Sequence, residues 1–142
     1  MNLKISTAVA TPHKVVFAAF NEKLFLALKP PLLPMKLLRF DGCNVGHEVH
    51  IDLGLQVWIS LITESVQNEE ECYFVDEGSQ LPFPLSSWRH LHLIKKNKDH
   101  TLIIDDITFS SGFVLLDFFL YPFLYFMFWL RQPVYRKFFG AV

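Results

Sequence analysis

Between Met35 and Phe109 the apolar residues recur at every second position, and the polar breaks between successive runs are short. The runs cover residues 36–40, 48–53, 56–64, 71–76, 88–95 and 101–109. Asp41-Gly42, Asn68-Glu69, Glu77-Gly78 and the stretch 96–99 are among the breaks. Period two is the signature of strands with one covered face, because successive side chains point to opposite sides of a sheet. A parallel crossover takes roughly a dozen residues or more, usually with a helix inside it. No connection here has room for one, so the strands are expected to form an antiparallel sheet whose covered face needs a lid.

The segments on either side supply the rest of the architecture. Leu3, Ile5, Thr7 and Val9 alternate with polar or small residues and read as one more strand, seven in all. Thr11-Pro12 offers an N-cap and a first helical position, and Val15, Val16, Ala19 and Phe20 follow at helical spacing. A second short helix fits residues 23–28, and the run Pro30-Pro31-Leu32-Leu33-Pro34 ends it without regular structure.

The C-terminal segment is the apolar extreme of the chain. Eight of the fifteen Phe residues lie between Phe113 and Phe139, and Asp117 is the single charge between Phe113 and Leu130. Pro122 suits a helix start, so the long helix is expected over 122–138, with 112–121 as a loop or a separate short helix. Projected at 100° per residue, Phe123, Met127, Leu130, Val134 and Phe138 form its inward stripe, with Tyr125, Gln132 and Arg136 opposite. Pro133 should kink it near Trp129. By count the stretch could span a bilayer, but Pro122, Asp117 and the uncovered sheet favour a covering helix. Its aromatic outer face leaves a membrane surface or a second copy of the chain as candidate partners.

Composition narrows the function classes. The 142 residues suit one domain, 1–142, and thirteen basic against fourteen acidic residues leave no basic stripe for nucleic acid. Cys43 and Cys72 lack metal-type spacing, and no secretory leader opens the chain, so free thiols and a cytoplasmic location are expected. There is no Gly-x-Ser-x-Gly, no Gly-rich phosphate loop and no motif that asks for a cofactor. Arg39, Asp41, Asp76, Glu77, Arg89 and Asp106 are expected on the solvated convex face and its rim.

Strand, two short helices, six strands and a long C-terminal helix is the order of the α+β helix-grip fold, in which a curved seven-stranded antiparallel sheet wraps the last helix. Phe74-Val75-Asp76-Glu77-Gly78, Leu81-Pro82-Phe83, Trp88-Arg89-His90-Leu91-His92, Thr101 and Asp105 together resemble the SRPBCC, START-like ligand-binding proteins, which include polyketide cyclase-like and Bet v 1-like members. Residues 21–31, with Leu24, Leu28 and the double proline, resemble the pattern after that group's first helix, so the likeness covers most of 11–109. The C-terminal segment departs from it in being far more aromatic. The resemblance implies a cavity for a hydrophobic small molecule, such as a lipid or polyketide-like compound. It implies no particular reaction.

Strand parity and the helical stripe aim Trp58, Trp88, His90, His92, Asp105, Phe109, Phe123 and Met127 at that cavity. His90 and His92 share one face of a strand. A four-residue loop at 96–99 would set His90 opposite Asp105, His92 opposite Ile103 and Trp88 opposite Ile107. Three uses of the pair stay open: a hydrogen-bonded pair fixing strand register, a polar anchor for a ligand, or acid–base or metal chemistry as in a cyclase or hydrolase. No third metal ligand is evident from spacing.

Overall fold

A computed structural model describes residues 1–31 and 33–142; Leu32, in the stretch expected to be irregular, lies outside them. The elements run β1 (Asn2–Val9), α1 (His13–Ala18), α2 (Glu22–Ala27), β2 (Lys36–Phe40), β3 (Glu48–Asp52), β4 (Val57–Gln67), β5 (Glu71–Gln80), β6 (Ser87–Asn97), β7 (His100–Ser110), α3 (Val114–Trp129) and α4 (Arg131–Phe139). The seven strands form one antiparallel sheet in the order β1-β7-β6-β5-β4-β3-β2. Each sequence neighbour pairs with the next from β2 to β7, and β1 closes against β7. This is the helix-grip architecture that the element order foretold.

Burial follows parity. Leu3, Ile5, Thr7 and Val9 of β1 and Thr101, Ile103, Asp105, Ile107 and Phe109 of β7 are buried, while their neighbours are open or half-buried. Register breaks at Ile59/Ser60 and Ile62/Glu64 between β4 and β5 add residues on one side of the ladder, which bends the strands around the helices. Two apolar clusters result. One joins α1, α2 and the end of α4 to the sheet through Val16, Leu24, Phe74 and Tyr135; the other joins α3 to β1, β6 and β7 through Leu3, Trp88, Phe109, Leu124 and Phe128.

Three local expectations are corrected. Thr11 is not a helix cap: Pro12 occupies that position, and the Thr11 hydroxyl donates to the Phe139 carbonyl at 2.7 Å, tying β1 to the end of α4. The β6–β7 hairpin turns on Lys98 and Asp99 alone, because Lys98 takes a left-handed φ of 57° and lets Asn97 pair with His100. His90 therefore faces Ile107, His92 faces Asp105 and Trp88 faces Phe109. The slip is two residues, an even number, so every side chain keeps its face.

The long helix starts at Val114, eight residues before the expected Pro122. The Ser111 backbone N–H and hydroxyl both donate to the Asp117 carboxylate, at 2.7 and 2.6 Å, so the lone charge anchors the first turn. These contacts hold Asp117 below the usual carboxylate range. Pro122 sits inside α3 on the exposed side. The break between α3 and α4 falls at Leu130, beside Trp129, as expected from Pro133, which has no N–H for the Trp129 carbonyl.

Candidate functional site

The inward stripe of the two C-terminal helices is Leu124, Phe128, Arg131, Tyr135 and Phe139, with Met127 beside it. It is rotated by one position from the expected stripe, and Phe123 and Phe138 stay largely open. Apolar counting passes over it because two of its members are polar. Those two meet a matching polar patch on the sheet. Arg131 Nη1 lies 3.3 Å from Asp105 Oδ1, and the Tyr135 hydroxyl donates to Asp105 Oδ2 at 3.3 Å.

Asp105 also receives a hydrogen bond from His90 Nε2 at 2.8 Å, diagonally across β6 and β7. His92 Nε2 reaches the other way, to Asp76 Oδ2 on β5 at 2.6 Å. The two imidazoles stack with centroids 3.5 Å apart, and the Phe74 ring stacks on His92 at 4.1 Å. The arrangement is thus a carboxylate, two stacked imidazoles and a second carboxylate, with one guanidinium closing the Asp105 end. Arg131 also lies over the Phe128 ring, 4.5 Å from its centroid. Asp76, expected on the solvated face, is mostly covered here because it shares strand parity with Cys72 and Phe74.

Burial and charge compete at every member. Burial pushes the Asp105 carboxyl up, but the Arg131 charge and the His90 hydrogen bond outweigh it and bring it to about 2. Asp76 is likewise opposed by burial, yet falls below its usual range through His92, His90 and Arg131. Burial, helped by the neighbouring His90, drives His92 down to about 4 against the pull of Asp76 and Asp105. His92 is then neutral at pH 7 with its proton on Nε2, which leaves Nδ1 buried and without a hydrogen-bond partner among the described residues. Burial raises the Tyr135 phenol, and Tyr135 together with the Asp105 and Asp76 carboxylates raises the Arg131 guanidinium against the opposing effect of burial.

An apolar cleft opens in front of this network, between the sheet, α2 and α3. Its free volume is about 180 Å³, against the roughly 10–15 Å³ that one water needs. Phe20, Phe25, Leu28, Met35, Phe40 and Ile51 line it opposite Leu124, Met127 and Phe128, and Ser60, Asp76, His90, His92 and Arg131 supply polar groups. The structure brings Trp58, Trp88, His90, His92, Phe123 and Met127 to this cleft. Asp105 does not reach it and lies behind the histidines. Phe109 is fully buried in the cluster with Leu3 and Ile107. Cys43 lines the cleft as an inert thiol, with its pKa pushed up to about 12 by burial and by Asp76.

Asp76, His90 and His92 each offer one ligand atom within 4.8 Å of the others. Asp76 Oδ2 lies 2.6 Å from His92 Nε2 and 3.7 Å from His90 Nδ1, so a metal held by all three would displace the His92–Asp76 hydrogen bond. The hydrogen-bonded arrangement has a simpler test. His90→Asn can still donate to Asp105 and should lose about 1 kcal/mol in urea unfolding. His90→Leu removes the donor and should lose more, on the order of 2 kcal/mol. Equal losses would count against the pairing.

No family model matches the chain, and no curated protein matches it. Solved structures do. A protein of Nitrosospira multiformis is similar over 95% of this chain and 95% of its own, with a TM-score of 0.62 at 12% identity. A point mutant of norcoclaurine synthase from Thalictrum flavum, solved with a transition-state analogue, covers 77% of this chain and 74% of its own (TM-score 0.55, 11% identity). Ara h 8.0201 covers 80% and 79% (TM-score 0.53, 12% identity). The chain has the Bet v 1-like helix-grip fold. Within that Bet v 1-like frame, the carboxylate–imidazole stack sits on β5, β6 and β7, and α4 reaches it through Arg131 and Tyr135.

Proposed function

We propose that this protein binds a hydrophobic small molecule in the cleft between the sheet and α3, with the polar end of the molecule against His90, His92 and Asp76. The observation that carries this reading is the wall itself: aromatic and aliphatic side chains on all sides, with a few polar groups converging on one patch. The solved norcoclaurine synthase complex is of the same fold, and a small molecule in such a protein supports the reading by analogy. The two free thiols suit a reducing, cytoplasmic setting.

A naphthalene-sulfonate probe should shift its own emission on binding and quench the Trp58–Trp88 pair, whose rings meet edge to face at 4.7 Å. Met127→Trp fills the space in front of the histidines and should weaken the probe about tenfold or more, the equivalent of about 1.4 kcal/mol. Unchanged affinity in both Met127→Trp and Trp88→Phe would put the binding site elsewhere. Native mass spectrometry of protein from its own host would identify the natural occupant.

A second reading rests on the 2.8 Å His90–Asp105 contact, which orients an imidazole at the cleft wall in the manner of a general base. Hydrolysis of nitrophenyl esters that vanishes in His90→Asn would favour a hydrolase; a rate equal to buffer would leave binding alone.

A further inference from the structure

α3 is apolar around its whole circumference, yet the sheet covers only one side of it. Of Val114–Phe139 only Asp117, Leu124, Met127, Phe128, Tyr135 and Phe139 are buried, whereas the core helix of a soluble protein is mostly buried. At 100° per residue the open positions, among them Val114, Leu115, Phe118, Phe119, Phe126 and Trp129, fill an arc of about 180°. The same end of the molecule carries two apolar loop tips. Leu55, fully exposed, tops the β3–β4 turn, and Phe83, 83% exposed, tops the β5–β6 loop. The two tips are joined: the Phe83 N–H donates to the Gln56 side chain. The β5–β6 loop in turn meets the start of α3, since Ser86 N–H donates to the Ser110 carbonyl at 2.8 Å.

Charge is sorted around this surface. Asp117 is turned inward to Ser111, so the outer arc of α3 carries no charge. The exposed charges that follow it, Arg136 and Lys137, are basic. Lys29, between the cleft residues Leu28 and Pro30, is exposed and basic as well, and so is Lys36 at the start of β2. Among the described residues none of these four has a carboxylate within 4.0 Å, and Asp52, the strand partner of Lys36, accepts from the Gly54 N–H.

We propose that this end of the molecule docks on an anionic lipid surface, with the outer arc of α3, Leu55 and Phe83 in the apolar layer and the basic rim at the headgroups. Tips and a half-cylinder make a convex surface, which a fluid layer accommodates more readily than a rigid partner does. α3 and α4 are held to the sheet, Arg131 and Tyr135 by Asp105 of β7 and Leu124 and Phe128 by packing with Trp88 and Phe109, so the helix lies on the surface and does not span it. Phe123 belongs both to the open arc and to the cleft wall, so docking sets the cleft beside the lipid. That last consequence, uptake of a membrane-resident molecule, rests on the binding reading above; the docking does not.

Flotation with vesicles of phosphatidylcholine, with and without phosphatidylglycerol, separates bound protein from aggregates, which sink. The wild type should float with the anionic vesicles, less so at high salt. The double variant Phe118→Glu with Phe119→Glu should lower partitioning by at least about tenfold, and Leu55→Glu should lower it by a smaller factor. Neither site lines the cleft, so binding of the naphthalene-sulfonate probe without vesicles should be unchanged, which separates failure of docking from failure of the pocket. Wild type that stays below the vesicles overturns the proposal, as does a double variant that floats equally well. A stable wild-type dimer in light scattering that the double variant dissolves would also overturn it, by making a second copy the occupant.

Discussion

Asp105→Ala should lower the unfolding free energy by about 3–5 kcal/mol, the usual loss when one partner of a buried ion pair is removed. Asp105 is 2% exposed and accepts from His90, Arg131 and Tyr135 at once. Without it the guanidinium stays behind the Phe128 ring with no carboxylate in contact, and two further donors lose their acceptor. The reverse change is milder. In Arg131→Met the carboxylate keeps His90 and Tyr135, so the loss should be on the order of 1–3 kcal/mol. Asp105→Leu combined with Arg131→Met should cost less than the sum of the single changes, because neither charge is left alone. Urea unfolding at pH 7 followed by circular dichroism reads all of these. If Asp105→Ala costs no more than Asp99→Ala, a change at a side chain 95% exposed, the network does not hold α4 to the sheet.

The same network marks where a sequence is legible. Period two and short connections are strong signals, and the seven antiparallel strands follow from them. Even the misjudged β6–β7 turn did little harm: it displaced pairing by two residues, and His90 still meets Asp105, along the diagonal. What stayed hidden were polar residues on covered faces. Asp76 lies two positions from Phe74 and four from Cys72 on β5, so parity alone would have turned it inward; the habit of assigning carboxylates to solvent overrode that signal. Arg131 and Tyr135 continue the spacing Leu124, Phe128, Phe139 at steps of four, three, four and four, but a search for apolar stripes rejects them. A polar residue at core spacing opposite another polar residue at core spacing is a pair, and neither half can be recognised without the other.

α3 shows the opposite error. Its apolar content was expected to mark a helix starting at Pro122 with an inward stripe from Phe123 to Phe138, yet its start is set by Asp117 and Ser111, and its apolar residues exceed what one sheet face can cover. The excess lies outward. For the Bet v 1-like frame this means the helix that closes the cleft has two apolar sides, one facing the cleft and one facing away from the protein, and Phe123 sits on the boundary.

Stability should fall in two limbs as pH is lowered. His92 titrates near 4 in the folded state and near 6.5, its ordinary value, when unfolded. The unfolded chain therefore takes up that proton first. Stability present above about pH 6.5 is lost as pH falls toward 4, on the order of 3 kcal/mol, and this limb levels off below pH 4. Asp105, near 2 when folded and about 3.9 when unfolded, acts in the next window. Its contribution is complete above about pH 4 and is lost as pH falls toward 2, on the order of 2 kcal/mol, and Asp76 shifts in the same direction. His92→Gln, whose amide can still donate to Asp76, should erase the upper limb and keep the lower one. Urea midpoints measured from pH 8 to 2 decide the matter. A wild type that gains stability between pH 7 and 5 would mean that Asp76 and Asp105 overcome burial and hold His92 as an imidazolium, and the stacked pair would then carry a positive charge at the wall of the cleft.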